Sequence, residues 1–294
     1  MSQPNVVIPM IYHSKEHVDA VASFEQEVRR LESIPFDAGL EHLAREGGDR
    51  GLLCYRGEKP VGLLSWYTSD GAVASINARV HPHYHRQGVF RDLLRRAKKD
   101  IEPLGIRAYS YRVPQGSAAG EAAARSLGAA YQRSEYSMTV DPGTFRSLSY
   151  LPADSGIWLL PAAPQDFEFM VACLSQAFGD SVSWTRDYLA RTSEPNRANY
   201  LVWLDDVRVG LIRVNRLSES TAVIHDFCIL PSYQGKKLGT QALRTAVDLL
   251  LGQSFDCIRL GVVTDNERAL NLYRGAGFAI TAEYKYYLEQ NHGR

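Results

Sequence analysis

The chain repeats itself, and no other feature of the sequence restricts its fold as much. Val80-His81-Pro82-His83-Tyr84 lies over Ile229-Leu230-Pro231-Ser232-Tyr233, with Pro82 on Pro231 at an offset of 149 residues. Tyr84 on Tyr233, Leu94 on Leu243, Arg95 on Arg244 and Ala97 on Ala246 follow without a gap. Upstream, Val61-Gly62-Leu63 matches Val209-Gly210-Leu211, and downstream Glu135-Tyr136 matches Glu283-Tyr284, both at an offset of 148. Short apolar patterns recur by chance in many chains, but landmarks in one order across much of each half point to a duplicated domain. A length of 294 residues suits two domains of ordinary size.

The two halves also agree in pattern. Ser14 followed by Val18, Val21, Phe24 and Val28 reads as a capped amphipathic helix, and Pro164 to Phe178 as its counterpart. A hairpin follows in each: Gly51 to Tyr55 turning into Val61 to Tyr67, and Tyr200 to Leu204 turning at Asp205-Asp206 into Val207 to Val214. Further strands run from Val73 to Val80 and from Ala222 to Leu230. Val89, Leu93, Leu94, Ala97 and Ile101 share one helix face, as do Leu238, Ala242, Leu243, Ala246 and Leu250. A strand, a helix and a closing strand complete each unit, in the order α-α-β-β-β-α-β-α-β, an α+β mixed sheet. Asp141 to Gly156, with two prolines, two glycines and no clear periodicity, reads as the linker between segments 1–145 and 157–294.

Charge narrows the function classes. Lys plus Arg balance Asp plus Glu at 33 each, so no global field marks the chain for nucleic acid or an anionic membrane. With 45% hydrophobic and 22% charged residues it has the balance of a soluble, packed protein. Met1 to Asn5 carry no basic cluster ahead of an apolar stretch, so no signal peptide is read, and no apolar run approaches the roughly 18 residues of a membrane span. A cytoplasmic location is expected. Cys54, Cys173, Cys228 and Cys257 are scattered through apolar segments without the close pairing of a zinc site, so they read as buried thiols and no metal is expected.

Two motifs carry chemistry. In the second half a strand runs through Cys228, Ile229 and Leu230 into Gln234-Gly235-Lys236-Lys237-Leu238-Gly239-Thr240 and directly into a helix. A glycine-bearing turn at a helix start offers free N–H groups and the positive end of the helix dipole, which suits a pyrophosphate, and two lysines add charge. Glycine and lysine also serve turns and solubility alone. Further on, Asn266 precedes a helix carrying Ala269 and, one turn later on the same face, Tyr273, which is followed by Gly277-Phe278. Asn266 has the type of an N-cap.

These motifs resemble the GNAT superfamily of N-acyltransferases. Its acyl-CoA loop reads Gln/Arg-x-x-Gly-x-Gly/Ala after a Val/Ile-x-Pro-x-Tyr strand end, and its later helix reads Asn-x-x-Ala-x-x-x-Tyr. Gln234 and Gly239 match the loop, and Lys237 takes its first glycine position. A lysine there needs an ordinary negative φ, or costs about 1 kcal/mol or more in a left-handed one. In the first half the loop reads His85-Arg86-Gln87-Gly88-Val89-Phe90-Arg91, where Gly88 keeps the first glycine and Phe90 replaces the second. Phe90 either plugs the site or points into the core and leaves the loop free to bind. The resemblance implies two tandem GNAT folds, each a mixed, mostly antiparallel β-sheet flanked by α-helices, an architecture of the mycothiol-synthase type.

The resemblance also implies the chemistry. Acetyl-CoA is the acyl donor, held at the loops and at Asn266. The backbone around Cys228, Ile229 and Leu230 holds the pantetheine and polarises the thioester, and Tyr273 protonates the departing thiolate. The base is Asp226, His225 or a water relayed by either. A strand alternates its faces, so at most one of the two faces the acyl group unless a bulge intervenes. No cysteine sits in a nucleophile-like setting, so the amine of a small molecule or peptide attacks directly in a ternary complex. In the first half Ile76 and Asn77 take the places of His225 and Asp226, Ala124 or Arg125 that of Tyr273, and Ser117 that of Asn266, which leaves a catalytically degenerate domain. Mycothiol-synthase-like acetylation and a non-catalytic acyl-CoA sensor or scaffold are the other readings. The acceptor and the oligomeric state are not legible.

Overall fold

The computed structural model describes residues 3–34, 37–44, 46–69, 71–147 and 156–290. In chain order the elements are β1 (Val6–Pro9), α1 (Lys15–Leu31), α2 (Leu40–Leu43), β2 (Arg50–Arg56), β3 (Lys59–Tyr67), β4 (Val73–Val80), α3 (Val89–Ile101), β5 (Ala108–Pro114), α4 (Ala118–Ser126) and β6 (Ala130–Val140). Then come α5 (Pro142–Ser147), β7 (Ile157–Pro161), α6 (Phe167–Phe178), α7 (Val182–Arg191), β8 (Arg197–Leu204), β9 (Val207–Arg216), β10 (Thr221–Ile229), α8 (Leu238–Gly252), β11 (Cys257–Val263), α9 (Glu267–Gly275) and β12 (Phe278–Gln290). No helix among the described residues is long and apolar enough to cross a membrane.

The chain forms two units, Met1–Ser134 with Ala282–Arg294, and Glu135–Thr281. Each is a mostly antiparallel sheet with one parallel pair, β4 with β5 in the first and β10 with β11 in the second. The closing strands are exchanged. Tyr284 to Gln290 of β12 pair antiparallel with β5 and complete the first unit, while Glu135 to Val140 of β6 pair with β11 and complete the second. The units therefore depart from contiguous segments 1–145 and 157–294 at these strands, because an alternating pattern identifies a strand but not its partner.

Each sheet is covered on both faces, and strand alternation decides which residue goes where. In the first unit Leu52, Leu64 and Ile76 meet α3 through Val89, Leu93, Leu94, Ala97 and Ile101, whereas Leu53 and Leu63 meet α1 through Val21, Phe24 and Val28. In the second, Val202, Ile212 and Ile224 face α8 and α9, and Leu201, Leu211 and Cys228 face α6 and α7. A fully buried Phe24 or Leu243 stabilises its layer by roughly 1.5–3 kcal/mol. The Ser14 side chain caps α1 by accepting from His17 N.

Three elements depart from the sequence reading. Each unit opens with a short strand, β1 or β7, that was not expected, since four or five residues hold too little alternation to register. Of the expected linker, residues 148–155 lie outside the described residues and Pro142–Ser147 is helical, with Thr144 N donating to Asp141 Oδ1 at 2.6 Å.

Candidate active site

A β-bulge in the second unit creates the site. Along β10, His225 pairs with Arg213 and Cys228 with Leu211, so Asp226 and Phe227 together face the single residue Ile212. Asp226 takes the left-handed conformation, φ 42°, that accommodates the extra residue. The equivalent strand pair of the first unit, β3 with β4, has no bulge: Gly62 to Tyr67 pair with Val80 to Ser75 in unbroken register. Asn77, opposite Ser65, thus stands in the register of His225, and Asp226 has no counterpart. This corrects the alignment of Ile76 and Asn77 with His225 and Asp226. The repeat offset changes from 148 to 149 at this insertion, which is its physical cause.

The bulge puts His225 and Asp226 on one face. Ile224 points to the α8 side, so His225 lies opposite, beside its partner Arg213. Asp226 is on that side too, because its Oδ2 accepts from Arg213 Nη1 at 2.8 Å and from the Tyr188 hydroxyl at 2.9 Å. Arg213 is 1% exposed and hydrogen-bonded at every nitrogen: besides Nη1, Nε donates to Asn199 Oδ1 at 2.9 Å, and Nη2 to the Thr192 carbonyl and hydroxyl at 3.1 and 2.9 Å. Its guanidinium lies 5.4 Å from the Tyr188 ring centre, and Trp184 stacks on that ring at 5.2 Å. Burial, reinforced by the Asp226 charge and hydrogen bond, pushes the Tyr188 phenol up to about 12. Sequence reasoning missed this network; the one signal for it is Arg213 inside the apolar run of β9.

Beyond the bulge the two parallel strands part. Among the described residues β10 pairs with β11 from Thr221 to Ile224, yet β10 continues to Ile229 and β11 to Val263, which leaves the β11 side of Cys228 and Ile229 without a strand partner. Cys228 is buried against Cys173, Sγ to Sγ 3.5 Å, and that contact together with burial pushes its thiol well above the usual range. Such a thiol is no nucleophile.

The loop after β10 is braced at its start and open at its end. Gln234 Nε2 donates to the Ile229 carbonyl at 2.7 Å. Gly235 and Lys237 both have positive φ, 79° and 60°, so the lysine adopts the left-handed form with its attendant cost. The first helical N–H with a main-chain acceptor in α8 is that of Gln241, on Lys237 O at 3.2 Å, which leaves the N–H groups of Leu238, Gly239 and Thr240 facing the loop. Gly239 lets α9 approach, since a Cβ there would lie 2.7 Å from Leu272 Cδ1. Asn266 caps α9, its Oδ1 accepting from Ala269 N at 3.0 Å. Tyr273 is half-buried, its ring 6.3 Å from Phe278, and its hydroxyl has no hydrogen-bond partner among the described residues. Burial raises its phenol above the ordinary value.

In the first unit His85 replaces Gln234 in kind, with Nε2 3.0 Å from the Val80 carbonyl. The two left-handed residues are Arg86 and Gly88. Arg56 braces the loop by donating to Gln87, side chain and carbonyl. Phe90 packs at the edge of the core and lines a cavity of about 630 Å³ whose wall includes Ala78, Tyr84, Arg91, Val113 and Ser117.

Residues 167–278 match the acetyltransferase (GNAT) family. The mycothiol acetyltransferase of Corynebacterium efficiens is 23% identical over 292 residues, covering 94% of each chain. Among solved structures, a GCN5-related N-acetyltransferase from Sphaerobacter thermophilus superposes with a TM-score of 0.74 at 14% identity, over 98% of this chain and 97% of that one. A tandem GNAT protein from the clavulanic acid biosynthesis pathway gives 0.69 at 15% identity, over 99% and 100%.

Proposed function

We propose that the chain is a tandem member of the acetyltransferase (GNAT) family, which residues 167–278 match and whose fold it carries twice, and that its second unit moves an acetyl group from acetyl-CoA to a primary amine. The observation that carries this reading is the bulged strand, which sets His225 and Asp226 on one face at the point where β10 ceases to pair with β11. The diphosphate of the donor lies on the N–H groups of Leu238, Gly239 and Thr240, with Lys236 and Lys237 as cations and Gly235 and Gln234 shaping the turn. The pantetheine runs along Cys228, Ile229 and Leu230, past the Asn266 cap. The amine attacks the thioester carbonyl, the C–S bond breaks, and the proton of Tyr273 goes to the thiolate.

His225 receives the amine proton, directly or through a water. Asp226 already accepts from two donors through Oδ2, and its part is to hold the bulge and the amine. Because Cys228 stays protonated, attack is direct and the kinetics are those of a ternary complex. Initial rates over a matrix of acetyl-CoA and amine concentrations give intersecting lines; parallel lines overturn the scheme.

The first unit holds a second acyl-CoA without turning it over. Arg86, Gln87, Gly88, Val89, Phe90 and Arg91 frame the loop, and the cavity beneath is the observation in favour. The similarity in length and layout to the mycothiol acetyltransferase favours an acceptor of the same kind as a second reading of the substrate.

A further inference from the structure

The face that holds His225 and Asp226 carries a guanidinium, that of Arg197, with no ion pair among the described residues. Arg197, at the start of β8, pairs with Asn215, and two residues along Asn199 pairs with Arg213, which pairs in turn with His225. Residues two apart on a strand share a face, so Arg197 lies on the Arg213 side. Two strand spacings and two residues put its Cα roughly 12 Å from that of His225, a span its long side chain shortens. Its charge reaches the Tyr188 hydroxyl that donates to Asp226.

Arg213 is neutralised by Asp226. The Arg197 side chain has neither hydrogen bond nor ion pair among the described residues, although its Nε is shut off from solvent. A guanidinium N–H removed from water without an acceptor is costly, and the natural acceptor is a carboxylate or phosphate, which the planar fork takes with two parallel hydrogen bonds. Trp184, 45% exposed and stacked on Tyr188, adds an aromatic wall next to these groups.

Resting on the acyl-transfer reading above, we propose that Arg197 determines acceptor specificity: the acceptor is an amine that also carries a carboxylate or phosphate, the anion on Arg197 and the amine at His225 and Asp226.

The test compares matched acceptors. Acetyl transfer is measured by thiol release with phenylalanine, phenylalaninamide and phenethylamine, and with phosphoethanolamine against ethanolamine, for the wild type, R197Q and R197K. The expected result is a kcat/KM at least tenfold higher for the carboxylate- or phosphate-bearing member of one series, a ratio that falls toward one in R197Q and to an intermediate value in R197K. The series that responds tells carboxylate from phosphate. A wild type without that preference, or a preference that survives in R197Q, overturns the proposal; if R197Q does not fold, the ratio in R197K decides, and an unchanged ratio overturns it. Transfer to some amines without anion preference removes this inference alone, whereas no transfer to any amine removes the acyl-transfer reading and this one with it.

Discussion

Lys237 and Gly88 occupy the same left-handed backbone position in the two copies of the helix-entry loop, with φ of 60° and 82°. One position earlier but one, the roles are reversed: Gly235 has φ 79° and Arg86 has φ 60°. Each loop thus needs two left-handed residues and supplies glycine at one of them. A side chain in that conformation costs about 1–2 kcal/mol, offset by the greater freedom glycine has in the unfolded chain. K237G is expected to stabilise the second unit by about 0.5–1 kcal/mol in thermal or denaturant unfolding, while raising KM for acetyl-CoA through the lost cation. A destabilised K237G contradicts the loop geometry.

Truncation at the bulge should act chiefly through Arg213. With that guanidinium buried, D226A leaves it without its counter-ion, and about 3 kcal/mol of stability is lost. D226N keeps an acceptor for Arg213 and Tyr188 and costs about 1 kcal/mol. Denaturant midpoints of the two variants at equal m-value measure the difference.

Y273F is expected to lower kcat about 100-fold with little change in KM for acetyl-CoA, since only the proton to the thiolate is lost. Burial raises the phenol above its ordinary value of about 10, so the acid stays protonated throughout the neutral range. Activity that depends on this proton falls only at pH above the ordinary phenol value, and that alkaline limb is absent from the residual activity of Y273F. An unchanged kcat removes Tyr273 from the reaction.

Gly210 and Gly62 are equivalent in the repeat but not in what surrounds them. A Cβ on Gly210 would lie 2.4 Å from the Cys228 carbonyl oxygen, a main-chain atom just past the bulge, whereas one on Gly62 would press on the side chains of Val89 and Leu93, at 2.6 and 2.9 Å, with the Arg79 carbonyl oxygen at an ordinary 3.5 Å. G210A is expected to cost about 3 kcal/mol and to impair transfer, and G62A about 1 kcal/mol. Unfolding curves of the two variants in parallel check the order.

The sequence discloses what has a period or a cap. The helices α3 and α8 follow from their apolar faces, and the start of α9 from Asn266, whose side chain closes on Ala269 N. Long-range pairings are hidden: nothing in the spacing of His225 and Asp226 shows that a bulge lets both face one way, although the one-residue change in repeat offset is its trace. Arg213 stands in β9 as a charge in an apolar run, and its partners Asn199, Thr192 and Asp226 come from three separate segments that only folding brings together. The fate of Phe90 depended on whether neighbouring side chains leave room, a question of volume that a one-dimensional pattern does not contain.

The exchange of closing strands sets an order of events during synthesis. The first unit lacks its outermost strand beside β5 until Tyr284 to Gln290 leave the ribosome, long after its other strands have emerged. Until then β5 presents an unpaired edge, the kind of surface through which nascent chains misassociate. The second unit meets no such delay, for Glu135 to Val140 are already waiting when β11 appears. The two units thus complete their sheets from opposite directions along the chain, the second with a strand made before its partner and the first with one made long after.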